Sequence, residues 1–211
     1  MTTPDSRSKT SHRPHVIGLT GNIACGKSAV LTVLRGLGAI TIDADHVYHE
    51  LIRPGEPLWR TMREHYGASI LAADETIDRR VLGEMVFEDA AAMETLDQLT
   101  HPAVVTAIQA RLATLPGAIV VIAAVKLIES GLDAEGEQLW VVVCDPEQQV
   151  ERLMARNKLS RRDAVQRVRA QFPIEAKAAR ATVVIDNSGT LADTRRQVEA
   201  AWHEHVQSFL P

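Results

Sequence analysis

Eight consecutive residues near the start of the chain, Gly21-Asn22-Ile23-Ala24-Cys25-Gly26-Lys27-Ser28, have the types and spacing of a loop that holds phosphate. They match G-x-x-x-x-G-K-[ST] at every defined position, after an apolar run ("HVIGLT", 15–20) and before a segment of helical periodicity. Such a loop turns its backbone N–H groups inward, and the start of the following helix adds partial positive charge, so several donors converge on a polyphosphate. Gly21 and Gly26 stand where the chain must turn or approach phosphate closely. Lys27 is placed to reach the β- and γ-phosphates, and the Ser28 hydroxyl to ligate Mg²⁺. The reading is a bound nucleoside triphosphate; the pattern alone does not say whether it is hydrolysed, transferred or sensed.

The interior of the loop is poor in glycine. Asn22 and Ala24 can serve because these positions donate through the backbone; asparagine tolerates the left-handed region, and Ala24 is the less comfortable choice. Cys25 reads either as a small filler or as a thiol activated by the positive field of the loop. A second group of chemical interest is Asp43 and Asp45 in "DADHVYHEL". A carboxylate just past a strand end faces the crevice at the carboxyl edge of a parallel sheet, and an acceptor hydroxyl needs a positioned carboxylate to take its proton. A turn or helix cap is the alternative for the same two residues.

The elements that must position these groups alternate. "HVIGLT" (15–20), "AITID" (39–43), "AIVVIAAV" (118–125), "LWVVVC" (139–144) and "ATVVIDNSG" (181–189) read as strands. "KSAVLTVLRGLG" reads as a helix, with Val30, Leu31, Leu34 and Leu37 at helical spacing and Gly38 as its stop. A long, mostly helical region follows the second strand, interrupted by "RPGEP" and "YGASILAADETID" and ending near "LDQLTHP". "EQQVERLMARNKLSRRDAVQRVRAQF" reads as a charged helical stretch and "LADTRRQVEAAWHEHVQSFL" as a closing helix. Buried Val/Ile runs alternating with helices predict an α/β fold with a parallel sheet covered on both faces. The region after the second strand is too long for a simple crossover and predicts a subdomain.

With 211 residues the chain fits a single domain with insertions. A net charge of −4 gives no basic field for nucleic acid. Cys25 and Cys144 form neither a disulfide framework nor a metal-spaced cluster, Cys144 reading as a small strand hydrophobe, and a reducing cytoplasm is the simplest setting. Residues 1–14 read as a disordered polar tail without the apolar core of a secretory signal. The longest apolar run, 118–125, is too short to span a membrane.

Taken together, the residues resemble the dephospho-CoA kinase family from about residue 15 to residue 205. The resemblance rests on "GLTGNIACGKS", "TIDADHV", "PGEPLW", "IDRRVLGEMVF", "LTHPAV", "LIESGL", "RNKLSRRDAVQRVRAQ" and "VVIDNSGTLADTRRQV". The glycine loop is shared by many families; the "DAD", "DRR", "HP" and "DNSG" segments in this order are far more specific. The resemblance implies ATP- and Mg²⁺-dependent phosphorylation of the ribose 3′-hydroxyl of dephospho-CoA, giving CoA and ADP, with no nucleic acid, membrane or obligate protein partner. It implies a P-loop three-layer α/β/α core (about 15–43, 103–144 and 174–211), an inserted helical acceptor subdomain (about 44–102) and a lid (about 145–173). Carried over by position, Asp45 looks like the general base and Asp43 its orienting neighbour. Arg79 and His101 look like acceptor-side residues. Arg156 looks like a phosphate-clamping arginine of the lid, with Arg152 one turn earlier on the same face. Gly21 to Ser28 and Ala29 look like ATP-binding residues, and Asn187 like part of the loop beside the adenine.

The sequence departs from the family pattern in places. The usual loop is close to "GGIGSGKS". The usual "PLLFE" is here Val125-Lys126-Leu127-Ile128-Glu129, and Lys126 has three readings: pairing with Glu129, reaching an anionic ligand, or pointing to solvent. Many members carry an aspartate near the position of Ala123; this chain has none there, so no second carboxylate for Mg²⁺ is assigned. The alternatives are another P-loop small-molecule kinase, such as one acting on a nucleoside monophosphate, and a non-catalytic ATP-binding homologue.

Overall fold

The structure, a computed structural model, describes residues 13–86 and 89–206. Most of the polar tail, Phe87 and Glu88, and the last residues of the closing helical segment lie outside the described residues. Among the described residues no helix is long and apolar enough to cross a membrane.

Five parallel strands form one sheet in the order β2-β3-β1-β4-β5. They are β1 (His15–Thr20), β2 (Ile40–Asp43), β3 (Ile119–Ala123), β4 (Gln138–Val143) and β5 (Val183–Asp186). The crossover from β1 leads to one side of the sheet and that from β3 to the other, so the loop after β1 lies at the switch point where α/β sheets bind ligands. The pleat sends alternate residues to opposite faces. Ile17, Leu19, Val121, Trp140 and Val142 pack against Val30 and Leu34 of α1 (Lys27–Gly36) and Val198 and Trp202 of α9 (Leu191–His205). Val16, Ile42, Val120 and Ile122 pack against Val47 of α2 (Ala44–Leu51) and Val104, Ile108 and Leu112 of α5 (Ala90–Leu112). Burial on both faces is why these strands read as continuous apolar runs.

Strand β3 is shorter than the apolar run that encodes it. Ala124 still donates to the Leu19 carbonyl at 3.1 Å, but the Val125 carbonyl accepts from side chains, Thr20 Oγ1 at 3.1 Å and Lys177 Nζ at 2.6 Å. Side-chain donors thus turn the chain out of the sheet.

Between β2 and β3 the chain builds α2, α3 (Pro57–Tyr66), α4 (Arg79–Val86) and α5. Ile52, Leu58, Trp59, Met62, Ile70, Ile77, Leu82 and Val86 form a core of their own. Helix α5 does not end at "HP": it runs through Pro102, which removes one helical hydrogen bond without breaking the element. Its first half packs Met93 and Leu96 on the helical core, and its second half packs on the sheet, so one rod joins the two. The charged stretch after β4 is likewise not one helix. It splits into α6 (Pro146–Asn157) and α7 (Arg161–Arg169) at Lys158, whose φ of 53° is left-handed, and Ser160 caps α7 by accepting from the Asp163 N–H. A short α8 (Ile174–Ala178) leads back to β5.

Leu19 is fully buried in the central strand. Replacing Leu19 by Ala is expected to lower stability by about 2–5 kcal/mol, the usual cost of such a cavity. Urea unfolding checks this, and an unchanged midpoint at unchanged slope would contradict it.

Candidate active site

The phosphate loop is held by β5. Asn187, just past that strand, donates from Nδ2 to the Cys25 carbonyl at 2.8 Å, accepts at Oδ1 from Thr194 Oγ1 at 2.7 Å, and donates its backbone N–H to the Val143 carbonyl at 2.8 Å. Gly26 caps α1 at φ 99°, and a Cβ there would sit 1.9 Å from Asn187 Nδ2. At Gly21 a Cβ would sit 2.4 Å from the Val142 carbonyl oxygen. The two glycines are therefore sites of close approach to the sheet side of the loop. The Asn187 side chain thus braces the phosphate loop. Lys27 is half-buried, donates Nζ to the Gly21 carbonyl at 2.8 Å, and burial holds its ammonium below the ordinary lysine value.

The structure decides two points that the sequence left open in the loop. The left-handed position is Ala24, at φ 60°, and not Asn22, whose Nδ2 instead donates to the Phe172 carbonyl at 3.2 Å. Cys25 is fully buried, and burial pushes its thiol pKa up, so it is the small filler and not an activated thiol. Both cysteines are free and buried.

The α6–α7 hairpin lies on the crown of the loop. Ile23 and Ala24 pack against Val150, Leu153 and Ala164. The Ile23 N–H donates to Gln171 Oε1 at 2.7 Å, a contact that nothing in the sequence pattern marked. Arg156 is exposed, with Nε donating to Asn157 Oδ1 at 2.9 Å, and the structure does not bring it to the loop. Arg152 is the arginine that is brought there: its Nη2 donates to the Asn187 carbonyl and to Gln148 Oε1, each at 3.0 Å. Among the described residues its buried Nη1 finds no partner, and neither does Asn22 Oδ1.

Asp43 is the helix cap. Its Oδ1 accepts from the N–H groups of Asp45 at 3.0 Å and His46 at 3.4 Å. That cap turns the chain into α2 and presents Asp45, in its first turn, to a cleft of about 410 Å³ lined also by Tyr48, Arg79, His101 and Lys126. The remaining lining is mainly apolar, from α4 and α5. Asp45 is reached by solvent yet walled by protein; burial first, then the charge of Asp43, raises its pKa above the ordinary aspartate range. Lys27 feels the charge of Asp45, so this carboxylate acts on the phosphate loop as well as on the cleft. Burial keeps the Tyr48 phenol protonated, with its pKa pushed up to about 12. Arg79 donates Nη1 to His49 Nε2 at 2.6 Å, which requires His49 to be neutral there, and burial lowers the His49 pKa in the same sense. His101 Nε2 lies 3.3 Å from Asp97 Oδ1. Lys126 pairs with both Asp97 oxygens, at 2.8 and 2.7 Å, and not with Glu129, which pairs with Lys177. A shallower hollow of about 680 Å³ on α7, lined by Arg161, Arg162 and Arg169 among others, shares no lining residue with the loop or the cleft.

Among the described residues no group of three His, Cys, Asp or Glu side chains converges as a metal site. The exposed Ser28 hydroxyl at the start of α1 fits a Mg²⁺ ion that takes most of its ligands from phosphate and water.

A family model described as dephospho-CoA kinase matches residues 15–193. The chain belongs to the dephospho-CoA kinase family. It is similar to the dephospho-CoA kinase of Geobacter sulfurreducens, with 45% identity over 191 residues, 89% of this chain and 97% of the relative. Among solved structures it is similar to TT1252 from Thermus thermophilus, with a TM-score of 0.76, 32% identity, and 92% and 99% of the two chains covered. The dephospho-CoA kinase from Campylobacter jejuni aligns with a TM-score of 0.60 at 26% identity, over 91% and 97% of the two chains.

For this member of the dephospho-CoA kinase family, the strained residue of the phosphate loop is Ala24. Alanine in the left-handed region costs about 1 kcal/mol or more, so Ala24→Gly is expected to stabilise the chain. The gain corresponds to about 2–4 °C in Tm at this chain length. Calorimetry checks this; a lowered Tm would mean that the Ala24 methyl contributes more by packing on the hairpin than its backbone costs.

Proposed function

We propose that this family member transfers the terminal phosphoryl group of ATP to the ribose 3′-hydroxyl of dephospho-CoA, giving CoA and ADP, with ATP on the phosphate loop and the acceptor in the Asp45 cleft. The observation that carries the reading is the placement of Asp45, which lines the cleft and acts electrostatically on Lys27. Residues 44–102 then form the acceptor domain and residues 145–173 the lid, both facing one reaction centre. Two free, buried cysteines suit a reducing cytoplasm.

The loop N–H groups and Lys27 hold the phosphates, and Arg152 offers an unpaired buried donor at the loop rim. Ser28 would hold Mg²⁺, which when bound would supply charge neutralisation for the phosphates. Asp45, ionised, accepts the proton of the 3′-hydroxyl as the oxygen attacks. Asp43 orients Asp45 through the cap and raises its basicity through its charge. Arg79, His101 and the apolar walls hold the acceptor. Arg156, on the same helix as Arg152, reaches phosphate only when the hairpin closes further.

The test is an ADP-release assay with Mg-ATP, comparing dephospho-CoA with AMP, CMP and no acceptor, with product mass recorded. Activity with dephospho-CoA alone is expected; a preference for a nucleoside monophosphate would overturn the acceptor assignment. Asp45→Asn is expected to lower turnover by about 10²- to 10⁴-fold with ATP binding nearly intact. Unchanged turnover would remove Asp45 from the base role. Lys27→Ala is expected to impair both ATP binding and turnover.

The pH profile follows from the direction of the Asp45 shift. Because the active form is the carboxylate, activity is lost as pH falls through a pKa raised above the ordinary aspartate range. Asp43→Asn keeps a capping oxygen but removes the charge, so the acid limb of the kcat/KM profile is expected to move to lower pH. An acid limb that stays in place would separate Asp43 from the ionisation of Asp45.

A further inference from the structure

Lys177 on α8 is a charged side chain that the transfer chemistry does not use and that is 1% exposed. Its ammonium donates to the Val125 carbonyl at 2.6 Å and pairs with Glu129 Oε1 at 3.0 Å. The same carbonyl accepts from Thr20 Oγ1 at 3.1 Å, and Thr20 is the last residue before the phosphate loop. One buried contact therefore joins three pieces of chain: the return from the α6–α7 hairpin, the exit of β1 and the exit of β3.

The turn from Val125 to Glu129 is pinned at both ends. Lys126 ties it to Asp97 on α5, at 2.7 Å, and Glu129 ties it to Lys177 on α8. Val125 and Lys126 line the Asp45 cleft, and the Glu129 charge acts on His101, which lines it too. The charge of Lys177 also acts on Lys27. Burying an ammonium and pairing it costs desolvation that a well-packed apolar side chain would avoid, so stability alone does not account for this pair.

We propose that Lys177 is a positioning residue for phosphoryl transfer: it holds the 125–129 wall of the acceptor cleft in register with the phosphate loop. The inference rests on the reading that the acceptor occupies this cleft. Without Lys177 the wall is free to shift relative to Asp45 and Lys27. A misplacement of about 1 Å between reacting groups costs on the order of 10²-fold in rate.

The experiment compares wild type, Lys177→Met, Glu129→Gln and the double variant in the ADP-release assay, with Tm and ATP Kd measured on each. Lys177→Met is expected to lower kcat/KM for dephospho-CoA by about 10²-fold while ATP Kd changes little. It is also expected to lower Tm, because Glu129 is left without its partner. The double variant removes that unpaired charge. It is expected to regain Tm but not kcat/KM, which a merely structural pair would restore together. Recovery of both in the double variant overturns the positioning role, as does a parallel weakening of ATP Kd and acceptor KM. If Lys177→Met alone does not fold, the double variant gives the same decision. An inactive wild type overturns the substrate reading and this inference with it; an active wild type with a fully active double variant overturns this inference alone.

Discussion

A buried hydrogen bond from the Asn187 amide to the Cys25 carbonyl, 2.8 Å long, is the constraint around which the nucleotide side of this molecule is arranged. A phosphate loop is a backbone held with its N–H groups turned inward, and most of its atoms have no regular secondary structure to hold them. Here β5, two strands away from the β1 strand that leads into the loop, supplies the brace. Asn187 in turn is oriented by Thr194 on α9, so the first and last segments of the core lock each other. Gly26 follows from this packing, because the Asn187 side chain occupies the space a Cβ would need. The loop is thus specified as much by the far end of the chain as by its own eight residues.

The Asp45 cleft is organised by charge. Asp43 uses its oxygen as a cap and its negative charge as a perturbation, and both act on Asp45. Burial first, and then the nearby charge of Asp43, raises the Asp45 pKa, while the cap fixes where Asp45 points. Across the cleft, Asp97 holds Lys126 and lies beside His101, so the added lysine is neutralised by a residue of α5. Lys126 therefore sets no uncompensated charge on the cleft wall. Helix α5, continuous through Pro102, carries this group from the helical core to the sheet.

Much of this was legible in the sequence. The glycine loop, the parallel α/β class, the strand positions and the "DAD" carboxylates follow from period, residue type and spacing, because each is a local property. The places where that reading changed share a feature. Helix α5 passes through a proline because its two halves are both packed, and the charged stretch breaks at Lys158, a residue type that gives no warning of a left-handed backbone. The left-handed position falls on Ala24, while Asn22 donates to the Phe172 carbonyl beyond α7. Arg152 and not Arg156 meets the loop because helix packing, and not spacing, chooses which turn faces it.

By itself the sequence determined the chemistry available: a phosphate-binding loop, a pair of carboxylates after the second strand, and the family to which such an order of motifs belongs. Pairings between distant residues were decided only in the tertiary structure. Lys126 chose Asp97, Glu129 chose Lys177, and Gln171 and Asn187 reached the phosphate loop across intervals of 148 and 162 residues. The physical reason is that a charged or amide side chain states its capacity to pair but not its partner. The partner is fixed only when burial makes an unpaired group too costly and packing brings one candidate within reach.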